Sequence, residues 1–124
     1  MASSHLLIGM VVKEAVERGT RKRFQTTVTD LGGTAQNPDA GTCFVRLEKV
    51  GSYDHGSPTI WYPCSQVGGT GVFGADVWLE NYLTLGDWLA RFKWEIAGVE
   101  DDDSFPFTLI RRDKPYDNRR GPVL

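Results

Sequence analysis

The sequence predicts an all-β, mainly antiparallel domain. Three observations indicate this class. Residues 88–96 alternate between apolar and polar side chains with a period of two. Several other short runs are rich in β-branched and aromatic residues. The chain also contains 14 Gly and 6 Pro, which cluster between these runs as turn signals.

The run 88–96 is the strongest predicted element. Trp88, Phe92 and Trp94 fall on one face together with two smaller apolar residues. Arg91, Lys93 and Glu95 fall on the other face, so the run is typical of a half-buried antiparallel strand. A helix would scatter the three aromatic side chains around its circumference.

Four further runs have strand character, at 23–30, 42–50, 58–64 and 105–111. The run 6–18 is ambiguous, since its second half would also suit a short helix; we favour a strand to about Val16 and a turn at 18–20. Residues 75–83 are predicted to form one or two helical turns, with Trp78, Leu79 and Tyr82 facing the core.

The length of 124 residues fits one domain, predicted at residues 1–112 and followed by an extended arm at 113–124. The arm has no hydrophobic periodicity, and arms of this kind often pack on neighbouring subunits in assemblies. Five or six short strands separated by Gly-rich turns predict a small barrel or sandwich, and an OB-like barrel fits this strand count.

Composition and charge limit the kinds of partner and the cellular compartment that are expected for the protein. The net charge of -2 argues against a strongly polyanion-seeking protein. No apolar run is long enough to span a bilayer, and the start of the chain lacks a basic signal-peptide region, so we expect a soluble protein made in the cytosol. Cys43 and Cys64 are expected to be buried free thiols, with a cross-strand disulfide as the less favoured alternative.

A glycine pattern resembles a dinucleotide-binding fingerprint. Gly69, Gly71 and Gly74 match G-x-G-x-x-G, and Glu95 follows about twenty residues later. The fingerprint requires a parallel βαβ unit, whereas the next clear element here is an amphipathic strand. We therefore predict a flexible Gly-rich loop and no cofactor.

The candidate catalytic and metal-binding residues do not form a recognisable site. His5 and His55 are far apart, and neither has a Cys or carboxylate at ligand spacing, so no zinc site is predicted. The acidic run 100–103 lacks the spacing of a calcium loop and is predicted to be a solvated hairpin loop. No nucleophile has an evident base, and we predict that the protein is not an enzyme.

One local charge cluster suggests an alternative function. Arg18, Arg21, Lys22 and Arg23 lie close together in the sequence. With exposed aromatic residues among Phe44, Trp61 and Tyr62, they would make an OB-type face for single-stranded nucleic acid. The acidic run weighs against this interpretation, because it would repel phosphate.

Charge complementarity suggests contacts between copies of the chain. The acidic run 100–103 and the basic segments 18–23 and 111–120 would pair across such contacts and fix their register. The polar face of the strand 88–96 is a further candidate contact surface. The predicted interface comprises Arg18, Arg21, Lys22, Arg23, Arg91, Lys93, Glu95, Asp101, Asp102, Asp103, Arg119 and Arg120.

The order of the predicted strands resembles a known family. An initial strand contains Gly9, a second strand ends at Asp30, and a Trp-containing strand with Pro63 follows. Later, Leu85-Gly86-Asp87 leads into the strand that contains Trp88 and Phe92. This arrangement resembles the OB-fold domains of baseplate spike or hub proteins of tailed bacteriophages and contractile tails.

The resemblance covers about residues 6–110 and implies a virion structural protein, made in the host cytoplasm and located in the tail, the baseplate or the head surface. Its expected partners are other virion proteins and further copies of itself, with no membrane and no cofactor. The acidic run 100–103 departs from the family pattern, which has a Gly-Asp and a following Pro-Val-Val there. No catalytic residue carries over from the family.

Overall fold

A computed structural model of the protein describes residues 13–51 and 60–112. Those residues contain no helix. Their eight strands are, in chain order, β1 (Glu14–Glu17), β2 (Arg21–Thr27), β3 (Phe44–Lys49), β4 (Tyr62–Pro63), β5 (Ser65–Gln66), β6 (Val72–Trp78), β7 (Gly86–Ile96) and β8 (Val99–Ile110).

The strands form a five-stranded sheet in the order β1-β8-β7-β3-β4 and a three-stranded sheet in the order β2-β6-β5. Their pairs are antiparallel, except that β1 runs parallel to β8. The chain passes from the larger to the smaller sheet at both edges, from β1 to β2 and from β4 to β5. The curled sheets form a half-barrel, which confirms the predicted small all-β barrel or sandwich.

Strand β7 lies inside the larger sheet, between β3 and β8. Its alternation is confirmed: Trp88, Ala90, Phe92 and Trp94 are buried, whereas the residues between them are partly or fully exposed. Phe24 of the smaller sheet packs on Phe107 of the larger one, with ring centroids 5.1 Å apart. The apolar faces of the two sheets thus share one core.

The helical turns predicted at 75–83 are wrong. Residues 75–78 belong to β6, which pairs with β2 from Thr27↔Val72 to Arg21↔Trp78. This continuous ladder overrides a local helical preference, because it satisfies the backbone of both strands. Of the three side chains predicted to face the core there, Leu79 is buried, whereas Trp78 and Tyr82 are exposed.

The hairpin loop predicted at 100–103 is also wrong, since these residues belong to β8. The turn is at Ala97 and Gly98, which both have positive φ angles, of 52° and 79°. The Asp39 carboxylate accepts hydrogen bonds from both of their N–H groups, at 3.0 and 2.9 Å. The side chain of Asp39, which is distant in the sequence, therefore stabilises a turn that the local sequence does not predict.

The other predicted strands are confirmed with shifted bounds, and β5 was not predicted. The predicted turn at 18–20 is confirmed, and so is the strand that ends near Val16. Both cysteines are free, but only Cys43 is fully buried; Cys64 is partly exposed. The apolar run 6–12, both histidines and the predicted arm at 113–124 lie outside the described residues.

Candidate protein-binding surface

Two cations and two aromatic rings lie together on the outer face of β3 and β7. Phe44 and Lys93 are direct cross-strand partners. The Lys93 Nζ lies 4.1 Å from the ring centroid of Trp61 and 5.7 Å from that of Phe44. The Arg46 Cζ lies 5.0 Å from the Trp61 centroid. We call these four residues the cation–aromatic cluster, because each cation lies within cation–π distance of a ring.

Glu48 neutralises part of the charge of this surface. Arg91 donates two hydrogen bonds of 3.1 Å to its carboxylate, and Arg46 donates another. Burial alone would raise the pKa of Glu48, but the hydrogen bonds from Arg91 and Arg46 outweigh it and lower that pKa. Arg46 and Arg91 therefore already have an anionic partner.

The acidic residues of β8 lie directly beside the cation–aromatic cluster. Lys93 pairs across the strands with Asp102, and Glu95 pairs with Glu100. A cleft of about 480 Å³ extends over both groups. Its lining includes Phe44, Trp61, Arg91, Lys93, Glu95, Glu100, Asp101 and Asp102. The structure thus brings Arg91, Lys93, Glu95 and Asp102 into one surface of mixed charge. Asp101 and Asp103 are the cross-strand partners of Trp94 and Phe92 and so lie on the other face of β8, and Asp103 does not line the cleft.

The residues of the predicted basic cluster make contacts with different parts of the domain. The Arg18 guanidinium donates a 2.9 Å hydrogen bond to the carbonyl of Leu83 and so joins two loops. The Lys22 Nζ forms a 2.6 Å salt bridge with Glu14 of the neighbouring strand β1. Both side chains have structural contacts within the domain.

Arg21 and Arg23 lie on β2, in the smaller sheet. The Arg23 Nε is 2.9 Å from a carboxylate oxygen of Asp76, and this hydrogen bond raises the pKa of Arg23 and lowers that of Asp76. Arg23 lines a cleft with Tyr62. The basic cluster is therefore positioned near one of the three aromatic residues expected beside it, whereas Phe44 and Trp61 are grouped with Lys93 and Arg46.

Three aromatic residues lie near Glu80, at a surface that the sequence did not predict. Trp78 is 46% exposed and Tyr82 is 73% exposed. The Trp78 indole N–H donates a 3.1 Å hydrogen bond to the Glu80 carboxylate. Burial raises the pKa of Tyr62, and the nearby Tyr82 and Glu80 raise it further. We call Tyr62, Trp78 and Tyr82 the aromatic patch.

The signal for this patch was present in the sequence. Val77 and Trp78 are adjacent, and consecutive residues of a strand point to opposite faces. Once β6 is recognised as a strand with Val77 in the core, Trp78 must face solvent. The helical interpretation concealed this, because it placed Trp78 and Tyr82 on the same buried face as Leu79.

A second cleft, of about 310 Å³, lies beside Leu31, Trp94 and Asp101. The Asp30 carboxylate accepts two backbone hydrogen bonds of 2.9 Å from the turn that carries Leu31. The backbone hydrogen bond from Thr34 is the main cause that lowers the pKa of Asp30. The turn presents Leu31 to solvent with 77% of its surface exposed.

The remaining structural findings concern metals, membranes and two predicted residues. In the parts of the chain described, no three His, Cys, Asp or Glu side chains are grouped so that they could share a metal ion. Residues 13–51 and 60–112 also contain no helix long and apolar enough to cross a bilayer. Arg119 and Arg120 of the predicted interface lie outside the described residues.

Comparison of the chain with models of known protein families, with curated proteins and with solved structures finds no match in any of the three.

Proposed function

We propose that the protein is a structural subunit that acts through protein–protein contacts, in the particle of a tailed bacteriophage. The observation that carries the proposal is the aromatic patch. Tyr and Trp are enriched at protein interfaces, where their large rings supply contact area at a low entropic cost. Water is a poor partner for the exposed apolar surfaces of Trp78 and Tyr82, and a second protein surface is a better one.

Trp78 of the patch is also held in place before any partner binds. It ends a strand that is paired along its length, and its indole N–H donates a hydrogen bond to the Glu80 carboxylate. Because little of its side-chain freedom remains to be lost, association at Trp78 costs less entropy than at a mobile side chain.

The charged residues favour specific contacts between copies. Glu100, Asp101, Asp102 and Asp103 follow one another along β8, on the opposite sheet from the basic residues of β2. Opposite charges on different surfaces of one chain attract between copies and select a register. The predicted arm, with Arg119 and Arg120, would supply further positive charge to such contacts.

The phage setting rests on the resemblance to tail and baseplate domains. Under this proposal the chain is made in the host cytoplasm and assembles into the virion with other structural proteins. A position of its gene among head or tail genes would support this setting. A position within a metabolic operon would contradict it.

We expect the full-length chain to self-associate and the double substitution Trp78→Ala/Tyr82→Ala to weaken this association at least about thirtyfold, since interface hot spots of this type contribute about 2 kcal/mol or more. The measurement is size-exclusion chromatography with light scattering over a range of protein and salt concentrations. Light scattering reports mass directly, so a change of shape would not be mistaken for dissociation.

Leu31→Ala is the matched control for this experiment. It removes a more exposed apolar side chain on a different loop, so it is expected to leave self-association unchanged. A wild-type chain that remains strictly monomeric at all concentrations would contradict the proposal, as would equal effects of the double substitution and Leu31→Ala.

The cation–aromatic cluster favours a second candidate function, the binding of single-stranded nucleic acid. Exposed aromatic rings stack on bases, and nearby cations hold the backbone phosphates. The neighbouring Glu95, Glu100 and Asp102 oppose this function, and Glu48 neutralises part of the charge of Arg46 and Arg91. The charge balance therefore favours the assembly function over the binding of nucleic acid.

If the second function holds, a fluorescein-labelled oligo-dT should bind at low salt, measured by anisotropy. With one to three cations available, log K should fall with log salt concentration with a slope of about -0.7 to -2. Trp61→Ala should weaken binding about tenfold, because stacking on one base contributes about 1 to 3 kcal/mol. Trp78→Ala is the control and should bind like the wild type; no binding at low salt would exclude this function.

A further inference from the structure

Cys43 and Cys64 lie opposite each other at the end of the β3–β4 pair. The antiparallel register joins Val45 to Tyr62 and Phe44 to Pro63. One step further along the same register, Cys43 faces Cys64, and the Cys64 N–H donates a 2.9 Å hydrogen bond to the Cys43 carbonyl. The two cysteines are thus cross-strand neighbours, although about twenty residues separate them in the sequence.

This arrangement suits a covalent link. Directly opposed residues of an antiparallel pair have Cα atoms about 4.5 to 5.5 Å apart and side chains on the same face. Disulfides span Cα separations of about 4.4 to 6.8 Å. The backbone therefore already holds both cysteines within disulfide range. To form the bond, the side chains need only rotate and the two sulfur atoms move slightly closer together.

We propose that Cys43 and Cys64 are a disulfide-forming pair, which a small-molecule disulfide oxidant converts into an intramolecular cross-strand bond in the folded protein. The two thiols are free in the structure described above. The proposal depends on this pair alone and does not require the assembly function.

The surroundings of the two thiols assign them different roles. Cys43 is buried, whereas Cys64 is partly exposed and is therefore the sulfur that a solvent-borne oxidant reaches first. A hydrogen bond between the thiols lowers the pKa of Cys43 and raises that of Cys64, and burial adds to the increase at Cys64. Since the thiolate is the nucleophile, the raised pKa makes the first exchange at Cys64 slow, and the lowered pKa suits Cys43 to the second, intramolecular attack.

The chemistry balances in two exchanges. The Cys64 sulfur loses its proton and attacks one sulfur of the oxidant, which forms a mixed disulfide and releases one small thiol. The Cys43 thiolate then attacks the Cys64 sulfur, breaks the mixed disulfide and releases the second small thiol. The protein loses two electrons and two protons, and the oxidant is reduced to two thiols.

The bond would secure a weakly attached edge of the barrel. Strand β4 has only two residues and is paired with β3 at only two positions. Closing a loop of roughly twenty residues reduces the entropy of the unfolded chain, and we expect it to raise the melting temperature by about 10 °C. Tyr62 of the aromatic patch lies on this edge, so the bond would also fix its position.

The test treats the reduced, full-length protein with oxidised glutathione and follows intact mass and free thiols. We expect the wild type to lose two hydrogens in mass and both free thiols, and a peptide map to join Cys43 to Cys64. Cys43→Ser should instead stop at one glutathione adduct on Cys64. Cys64→Ser should react slowly, because its remaining thiol is buried.

Two measurements separate the folded geometry from the mere presence of two thiols. The equilibrium constant for disulfide formation against glutathione should be at least about tenfold larger in buffer than in concentrated urea, because only the folded chain holds the pair together. The melting temperature of the wild type should rise on oxidation, whereas both serine variants should show no comparable rise.

Equal equilibrium constants in buffer and urea would overturn the proposal. A stable glutathione adduct on the wild type, or a disulfide that joins two chains, would also overturn it. Loss of self-association in the Trp78→Ala/Tyr82→Ala variant leaves all of these outcomes unchanged, so failure of the assembly function and failure of this proposal are distinguishable.

Discussion

Replacing Trp88 by alanine is expected to lower the free energy of unfolding by about 4 kcal/mol, at the upper end of the range for large-to-small substitutions in protein cores. Trp88 has no exposed surface and is one of the largest fully buried side chains. Its indole N–H also donates a 2.8 Å hydrogen bond to the carbonyl of Thr84. The substitution would leave both a cavity and a carbonyl without this donor. Urea denaturation followed by circular dichroism measures the loss.

Trp78→Ala is the matched control for Trp88→Ala. It removes the same side chain from the same class of element, but from a position that is 46% exposed. Its cost is expected to remain below about 1 kcal/mol. Trp88→Phe, which keeps most of the buried ring, should fall between the two and provides a folded variant if Trp88→Ala unfolds. Similar losses for Trp88→Ala and Trp78→Ala would contradict the core assignment.

The contrast between these two tryptophans shows what the sequence could predict. Trp88 begins an alternating run of nine residues, in which every second side chain is apolar, so its burial follows from the period alone. In the run that contains Trp78, Phe73, Ala75 and Val77 alternate with Gly74 and Asp76, but the alternation is short, and Trp78 itself places a large apolar residue on the outer face. Strand β6 is specified by its long pairing with β2, and such a non-local pairing leaves little trace in the local sequence.

The β7–β8 turn was missed for a related reason. Ala97 is not a usual residue for a positive φ angle, and four acidic residues nearby resemble a loop more than a strand. Asp39 stabilises the turn from almost sixty residues away. For the candidate interface, the alternation in β7 correctly placed Arg91, Lys93 and Glu95 on the outer face of the strand, and their role in an interface stays a prediction. The partners of these residues depend on the sheet register, which the sequence alone does not reveal.

The pairing of β2 with β6 explains one glycine of the Gly-rich pattern at 69–74. Gly74 lies opposite Gln25 in the β2–β6 ladder, and its neighbour on the other side is Ser65 of β5. A Cβ atom at this position would lie 2.5 Å from the carbonyl oxygen of Phe24 and 2.8 Å from the Gln25 Cβ. The glycine allows a close approach of two backbones, which is a packing requirement and involves no phosphate.

Gly74→Ala is therefore expected to lower the free energy of unfolding by about 3 kcal/mol, since the methyl group must displace backbone of a central ladder in the smaller sheet. Gly69→Ala is the control within the same motif, because a Cβ there meets nothing within 4 Å and no positive φ angle is required. Its effect should stay within about 0.5 kcal/mol. Urea denaturation of both variants measures the difference.

A phosphate-binding loop would predict the opposite order of sensitivity to alanine. Substitution of the loop glycine Gly69 would then impair ligand binding, and substitution of the strand glycine Gly74 would be tolerated. Equal stability of the two variants would show that β2 and β6 are not as close at Gly74 as the structure places them.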